Sequence, residues 1–130
     1  MATIFTKIIN GEIPAYKIAE NDKFLAFLDV YPLQKGHTLV VPKQEVDYIF
    51  DLEDNLLAEM MIFSKQVAHR IKKAFSCQRI GVAVVGLEVP HAHIHLIPIN
   101  TMNDMSFAND KLKLSKAEFI EIQEKITSVG

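Results

Sequence analysis

Cysteine is almost absent: Cys77 stands alone in 130 residues, so neither an intramolecular disulfide nor a Cys-x-x-Cys metal knuckle can form. A buried structural thiol is the ordinary role for such a residue, and the count suits a reducing compartment. Long apolar runs are missing as well. Nothing approaches the ~18 continuous apolar residues of a transmembrane helix, and the start, Met1 to Lys7, lacks the charged region and apolar block of a signal peptide. The expectation is a cytoplasmic protein with no membrane partner. Net charge is scarce. Fourteen Lys plus Arg against sixteen Asp plus Glu leave −2, which gives no general field for a long polyanion and disfavours extended nucleic acid as a partner. A small phosphate-bearing ligand needs only a few aimed donors and is not disfavoured. Five Gly and five Pro are scattered as punctuation, with no linker, repeat or low-complexity tract. What is present, 49% hydrophobic and 23% charged residues, is the balance of a globular chain. Its length predicts one domain over residues 1–130, with a core that needs no disulfide or structural metal.

The pattern along the chain predicts a short helix from Thr3 to Glu12, ending near Gly11, with Ile13-Pro14 forcing an extended exit. Strands are expected at Tyr16 to Ala19, at Phe24 to Val30 with Phe24, Ala26 and Leu28 on one side, and at Thr38 to Val41. From Leu52 to Phe75, Leu56, Met60, Phe63, Val67, Ile71 and Ala74 recur at helical steps, with Asp51 as the expected N-cap. Two neighbouring antiparallel strands, Arg79 to Val85 and His91 to Ile99, should follow. A last helix spans Lys116 to Ile126, with Ser115 and Glu118 as a capping box. The helices are too few and too badly placed to supply parallel crossovers. The fold class is therefore α+β, an antiparallel sheet of about five strands with the long helix on one face.

Three of the five histidines fall at His91, His93 and His95. On a strand they share one face, and Ala92, Ile94 and Leu96 share the other, which supplies the apolar face a core needs. Solvated surface histidines are one reading, though β-propensity would favour Thr or Val there. Metal binding is a second, but at ~3.3 Å per residue the Cα atoms of His91 and His95 lie ~13 Å apart, too far to converge easily on one ion. His93 and His95 with His37 could still form a site. The third reading is nucleophilic and acid–base chemistry. Neutral imidazole is a competent nucleophile near pH 7, and a neighbouring imidazole can handle the leaving-group proton, which suits phosphoryl or nucleotidyl transfer.

The run His91-Ala92-His93-Ile94-His95-Leu96-Ile97 resembles the signature of the histidine triad superfamily. Ile4-Phe5, Lys7-Ile8-Ile9, Glu12-Ile13-Pro14, Leu25 to Val30 and Gly36 to Lys43 are similar in order and spacing to its purine-nucleoside phosphoramidase (Hint) branch, over roughly the first hundred residues. That resemblance implies a histidine-triad-like fold and a hydrolase or transferase acting at the α-phosphorus of a nucleoside monophosphate derivative. Its partner would be a purine nucleotide such as an AMP derivative, used without cofactor or metal. It implies His93 as the nucleophile, His95 as the contact to phosphate and leaving group, and His91 with His37 as the supporting shell. Asp29 would hold the ribose hydroxyls. Phe5, Ile8, Ile13, Phe27, Leu28 and Val30 would wall the base pocket, unless each is simply core, and family members are typically homodimers. The segment Ile80 to Pro90 is shorter than in the branch, with Leu87 at its Gln position and Glu88 at its Ser/Thr position. Gly86 and Glu88 are the substrate-binding candidates there. Glu88 would act beside the leaving group, or else be a solvated loop carboxylate. Thr3 and Thr6 stand where some bacterial relatives carry a metal-binding Cys pair. The rivals are a dinucleoside polyphosphate hydrolase and a nucleotide-binding regulator with little turnover.

Overall fold

The computed structural model describes residues 2–129. In chain order they form α1 (Ile4–Ile9), β1 (Lys17–Glu20), β2 (Phe24–Leu28), β3 (Thr38–Pro42), α2 (Asp54–Ala74), β4 (Arg79–Ala83), β5 (Ile94–Ile99) and α3 (Lys116–Thr127). Short 3-10 turns occupy Ile49–Asp51 and Met102–Met105. The five strands make one antiparallel sheet in the order β1-β2-β3-β5-β4, as the α+β reading expects. After α2, the chain lays down the edge strand β4 and then threads β5 between β3 and β4. A strand late in the sequence is thus interior to the sheet, and residues 91–98 are buried throughout.

The two-residue period of the strands divides the core into two faces. On one, Phe24, Ala26 and Leu28 of β2, Val40 of β3, and Ala92, Ile94 and Leu96 lie with Met60, Phe63, Val67, Ile71 and Ala74 of α2. Burying each of the larger side chains contributes about 1.5–3 kcal/mol, which is why the helical stripe holds α2 to the sheet. Phe119, Ile122 and Ile126 of α3 complete this layer. On the other face Leu25, Phe27, Leu39 and Val41 pack with Phe5 and Ile8 of α1. The small helix α1 leaves part of that face for polar side chains, and the histidines lie there.

Several boundaries differ from the sequence expectation. Asp51 does not cap α2; it closes the 3-10 turn, and buried Leu52, held extended at φ −69° and ψ 144°, separates that turn from the helix. Glu53 takes the N-cap position and makes no side-chain capping bond. The capping box of α3 forms as expected, with Glu118 N–H donating to Ser115 Oγ and Ser115 N–H to the Glu118 carboxylate. Cys77 is half-buried rather than enclosed. The largest difference is at β5, which begins at Ile94 and not at His91. Ahead of it the chain leaves the ladder: Ala92 N–H donates to Val46 O at 2.7 Å, and the ring of His91 takes Pro42 O at 2.8 Å.

Candidate active site

Of the three alternating histidines only His95 lies on a regular strand, yet all three rings stay on the α1 side. Phe5 of α1 meets the His93 ring edge-on at 5.1 Å between centroids and the His91 ring at 5.7 Å, while His93 and His95 are 4.9 Å apart. His37, just before β3, joins them through a 2.9 Å contact from its Nε2 to His95 Nδ1. The turn that delivers His37 depends on Gly36. Its φ is +94°, and a Cβ there would come within 3.2 Å of the Phe75 ring, so any L side chain would be strained twice over.

Hydrogen bonds to groups that can only donate or only accept fix each ring's tautomer. Leu33 N–H donates to His37 Nδ1 at 3.0 Å, so a neutral His37 carries its proton on Nε2. That Nε2–H donates to His95 Nδ1, which puts the His95 proton on Nε2. At His93 the order is reversed: Nδ1–H donates to the carbonyl of His91 at 2.7 Å, and Nε2 keeps its lone pair. His91 donates from Nε2 to Pro42 O and accepts at Nδ1 from the Thr3 hydroxyl, 2.8 Å away. Thr3 also caps α1, and Glu45 takes Thr3 N–H and the Thr6 hydroxyl. Neighbouring His93 and His95 therefore present opposite chemistry on Nε2, a lone pair beside an N–H.

Burial favours the neutral form of His37, His91 and His95. Desolvation, aided by the neighbouring His95, Lys111 and His93, lowers the pKa of His37 to about 3. Desolvation and His93 lower that of His95 to about 4, and burial outweighs Pro42 O and Glu45 to lower His91. Asp29, directly after β2, is raised, first by desolvation, although Tyr31 N–H donates to its Oδ1 at 2.9 Å. Its Oδ2 lies 3.5 Å from His37 Nε2; with His37 neutral this is a polar contact and not an ion pair. Asp29, His37 and His95 bring one potential ligand atom each within 4.8 Å of one another. As hydrogen-bonded, however, His37 has no lone pair to give a cation, because Leu33 N–H occupies it and the other nitrogen bears the proton.

A family model for the HIT domain matches residues 10–102. The chain belongs to the HIT family. An uncharacterised HIT-like protein of Borreliella burgdorferi is 35% identical over 132 residues, covering 95% of each chain. The adenosine 5′-monophosphoramidase of Schizosaccharomyces pombe is 36% identical over 99 residues, covering 75% of this chain and 74% of that protein. The crystal structure of a HIT-like protein from Bartonella henselae matches with TM-score 0.83 at 29% identity, over 97% of this chain and 95% of that one.

Within this HIT domain the structure gathers most of the residues singled out from sequence. His37, His91, His93 and His95 form one cluster, Asp29 touches it through His37, and Phe5, Ile8 and Phe27, with half-buried Ile13, pack beside it. Val30 is exposed next to Asp29. Leu28 is a correction: strand alternation turns it to the opposite face, into the core under α2. Gly86, at φ +77°, has nothing within 4 Å of where a Cβ would stand. Glu88 is exposed, near enough for its charge to act on Asp29. Sequence reading missed Phe107, whose ring packs edge-on against His95 at 4.9 Å, and Lys111, whose charge reaches Asp29 and His37. Both lie beyond the stretch matched by the family model, and no local pattern marks them.

Proposed function

We propose that this protein is a nucleotide hydrolase acting at the α-phosphorus of a nucleoside monophosphate derivative, of the phosphoramidate type, through a nucleotidyl-histidine at His93. The observation that carries the reading is the opposed pair of tautomers. His93 Nε2 offers a lone pair for in-line attack without a separate base, while its Nδ1–H rests on a carbonyl that stabilises the cationic ring formed by attack. His95 Nε2–H holds an oxygen of the phosphate or the leaving atom. A neutral imidazole has no acidic proton to surrender outright, so the P–N bond breaks with hydrogen-bond assistance from His95, and the departing amine takes its proton from water. A second water then attacks the nucleotidyl phosphorus, its proton neutralising the hydroxide left by the first, and releases the monophosphate and free His93. His37 and His91 act by holding tautomers and ring orientation.

In this reading Asp29 accepts from ribose hydroxyls, and Phe5, Ile8, Ile13 and Phe27, flanked by Val30, receive a purine base. The 36%-identical adenosine 5′-monophosphoramidase supports the substrate class. The working unit is a homodimer joined along β4, a sheet edge with Val82, Val84, Val85 and Leu87 exposed on it or just beyond it, since such an edge favours pairing. The test is to mix the protein with adenosine phosphoramidate and, separately, with diadenosine polyphosphates. AMP release from the phosphoramidate supports the reading. Release from the polyphosphates alone would transfer the activity to them, and AMP binding with no turnover of either would make the protein a nucleotide-binding regulator.

A further inference from the structure

The histidine cluster is short of positive charge for a site that would hold a phosphate. His37 and His95 are neutral at pH 7, and Asp29 and Glu88 bring negative charge to the same region. Among the described residues, Lys111 is the one lysine or arginine whose charge is felt at both Asp29 and His37. It stands on a folded segment and not on a free tail. Leu112 N–H donates to Pro32 O at 2.8 Å, which ties the segment to the Asp29 loop, and Asn109 donates through its side chain to Asn103 O at 2.7 Å. The Lys111 ammonium donates to Phe107 O at 2.8 Å and Asn109 O at 3.2 Å, which leaves one of its three donors free. Phe107 in turn lies against His95 and, at 6.5 Å, against His37. The ammonium is 6.0 Å from the Phe107 ring.

We propose that residues 106–112 form the anion-binding wall of the histidine site, with Lys111 neutralising the phosphate of a bound nucleotide and Phe107 closing the side of His95 against water. The inference rests on the reading of the cluster as a nucleotide site. It assigns to a segment outside the family-matched stretch the charge that the matched stretch does not supply. An ammonium held by two carbonyls is pre-oriented, so little rotamer freedom is lost when the anion arrives.

The test measures binding of AMP and of adenosine to the wild-type protein, Lys111→Met and Lys111→Arg at low and at moderate salt. Lys111→Met should weaken AMP roughly ten-fold, the lower end for losing a charge-assisted contact, and leave adenosine unchanged. Lys111→Arg should retain most of the affinity, and added salt should shrink the difference between wild type and Met. Phe107→Leu, which keeps bulk without the ring, should weaken AMP less than Lys111→Met does. Equal AMP affinity in wild type and Lys111→Met overturns the proposal, as does a parallel loss for adenosine. These binding results are separable from turnover. Phosphoramidate hydrolysis with Lys111-independent AMP binding removes the wall and leaves the enzyme. Lys111-dependent binding without hydrolysis removes the enzyme and leaves the wall. No AMP binding at all removes both.

Discussion

At the scale of single residues, Asp29 divides its two oxygens between different tasks. Oδ1 takes Tyr31 N–H and shapes the turn, while Oδ2 faces His37 and is the oxygen that the proposed ribose contact would use. Desolvation raises the Asp29 pKa, so its charged form gains from each hydroxyl that replaces lost water. Asp29→Asn should therefore weaken a ribonucleotide more than its deoxy counterpart, by about 1.5–3 kcal/mol, roughly ten- to a hundred-fold. Comparing the two sugars by calorimetry in both proteins checks this; equal losses would confine Asp29 to the turn. The histidines follow the same logic. Each ring's partner was out of reach of sequence reasoning, because Pro42 O, Leu33 N and Thr3 come from distant or irregular segments. What the sequence displayed was the alternation itself, and with it the assignment of Ala92, Ile94 and Leu96 to the core.

At the scale of elements, legibility followed locality. The stripe of α2 and the capping box of α3 are short-range patterns, and both were readable because three- and four-residue spacing needs no knowledge of the rest of the chain. The true start of β5 depends on Val46 O and Pro42 O drawing residues 91 and 92 off the ladder. Asp51 lost its expected cap role to the burial of Leu52. The 106–112 segment carries no periodicity at all, so its place beside the histidines is a tertiary fact. Helix α1 joins local and long-range terms in one residue: Thr3 caps it and also supplies a hydrogen bond to buried His91. Thr3→Val should remove the cap, worth ~1 kcal/mol, and strand a buried imidazole nitrogen, costing ~1–3 kcal/mol. A urea titration should show a clear drop in midpoint; a drop of only the cap's size would mean that Thr6, 3.5 Å from the same nitrogen, takes over the bond, and an unchanged midpoint would contradict both roles of Thr3.

At the scale of the whole molecule, placing β5 between β3 and β4 puts neutral imidazoles inside the sheet's coverage, and this links stability to pH. His37 and His95 have folded pKa values of about 3 and about 4, below the 6.5 of an unfolded histidine. Below pH 6.5 the unfolded chain therefore binds more protons than the folded one, so stability falls as pH falls, through a window from 6.5 down to about 4 and about 3. Thermal unfolding should show a lower Tm at pH 5 than at pH 7, before most carboxylates titrate, and a flat Tm across that interval would mean that these rings are not buried neutral. The central claim remains that His93, with its free Nε2, forms a covalent bond to the nucleotide. Brief mixing with adenosine phosphoramidate, an alkaline denaturing quench and mass spectrometry of the intact and digested protein test it most directly. The expected result is a single nucleotidyl group on His93, absent in His93→Ala, which should remain folded while kcat drops by several orders of magnitude. Undiminished hydrolysis by His93→Ala, or an adduct on any other residue, would contradict the account.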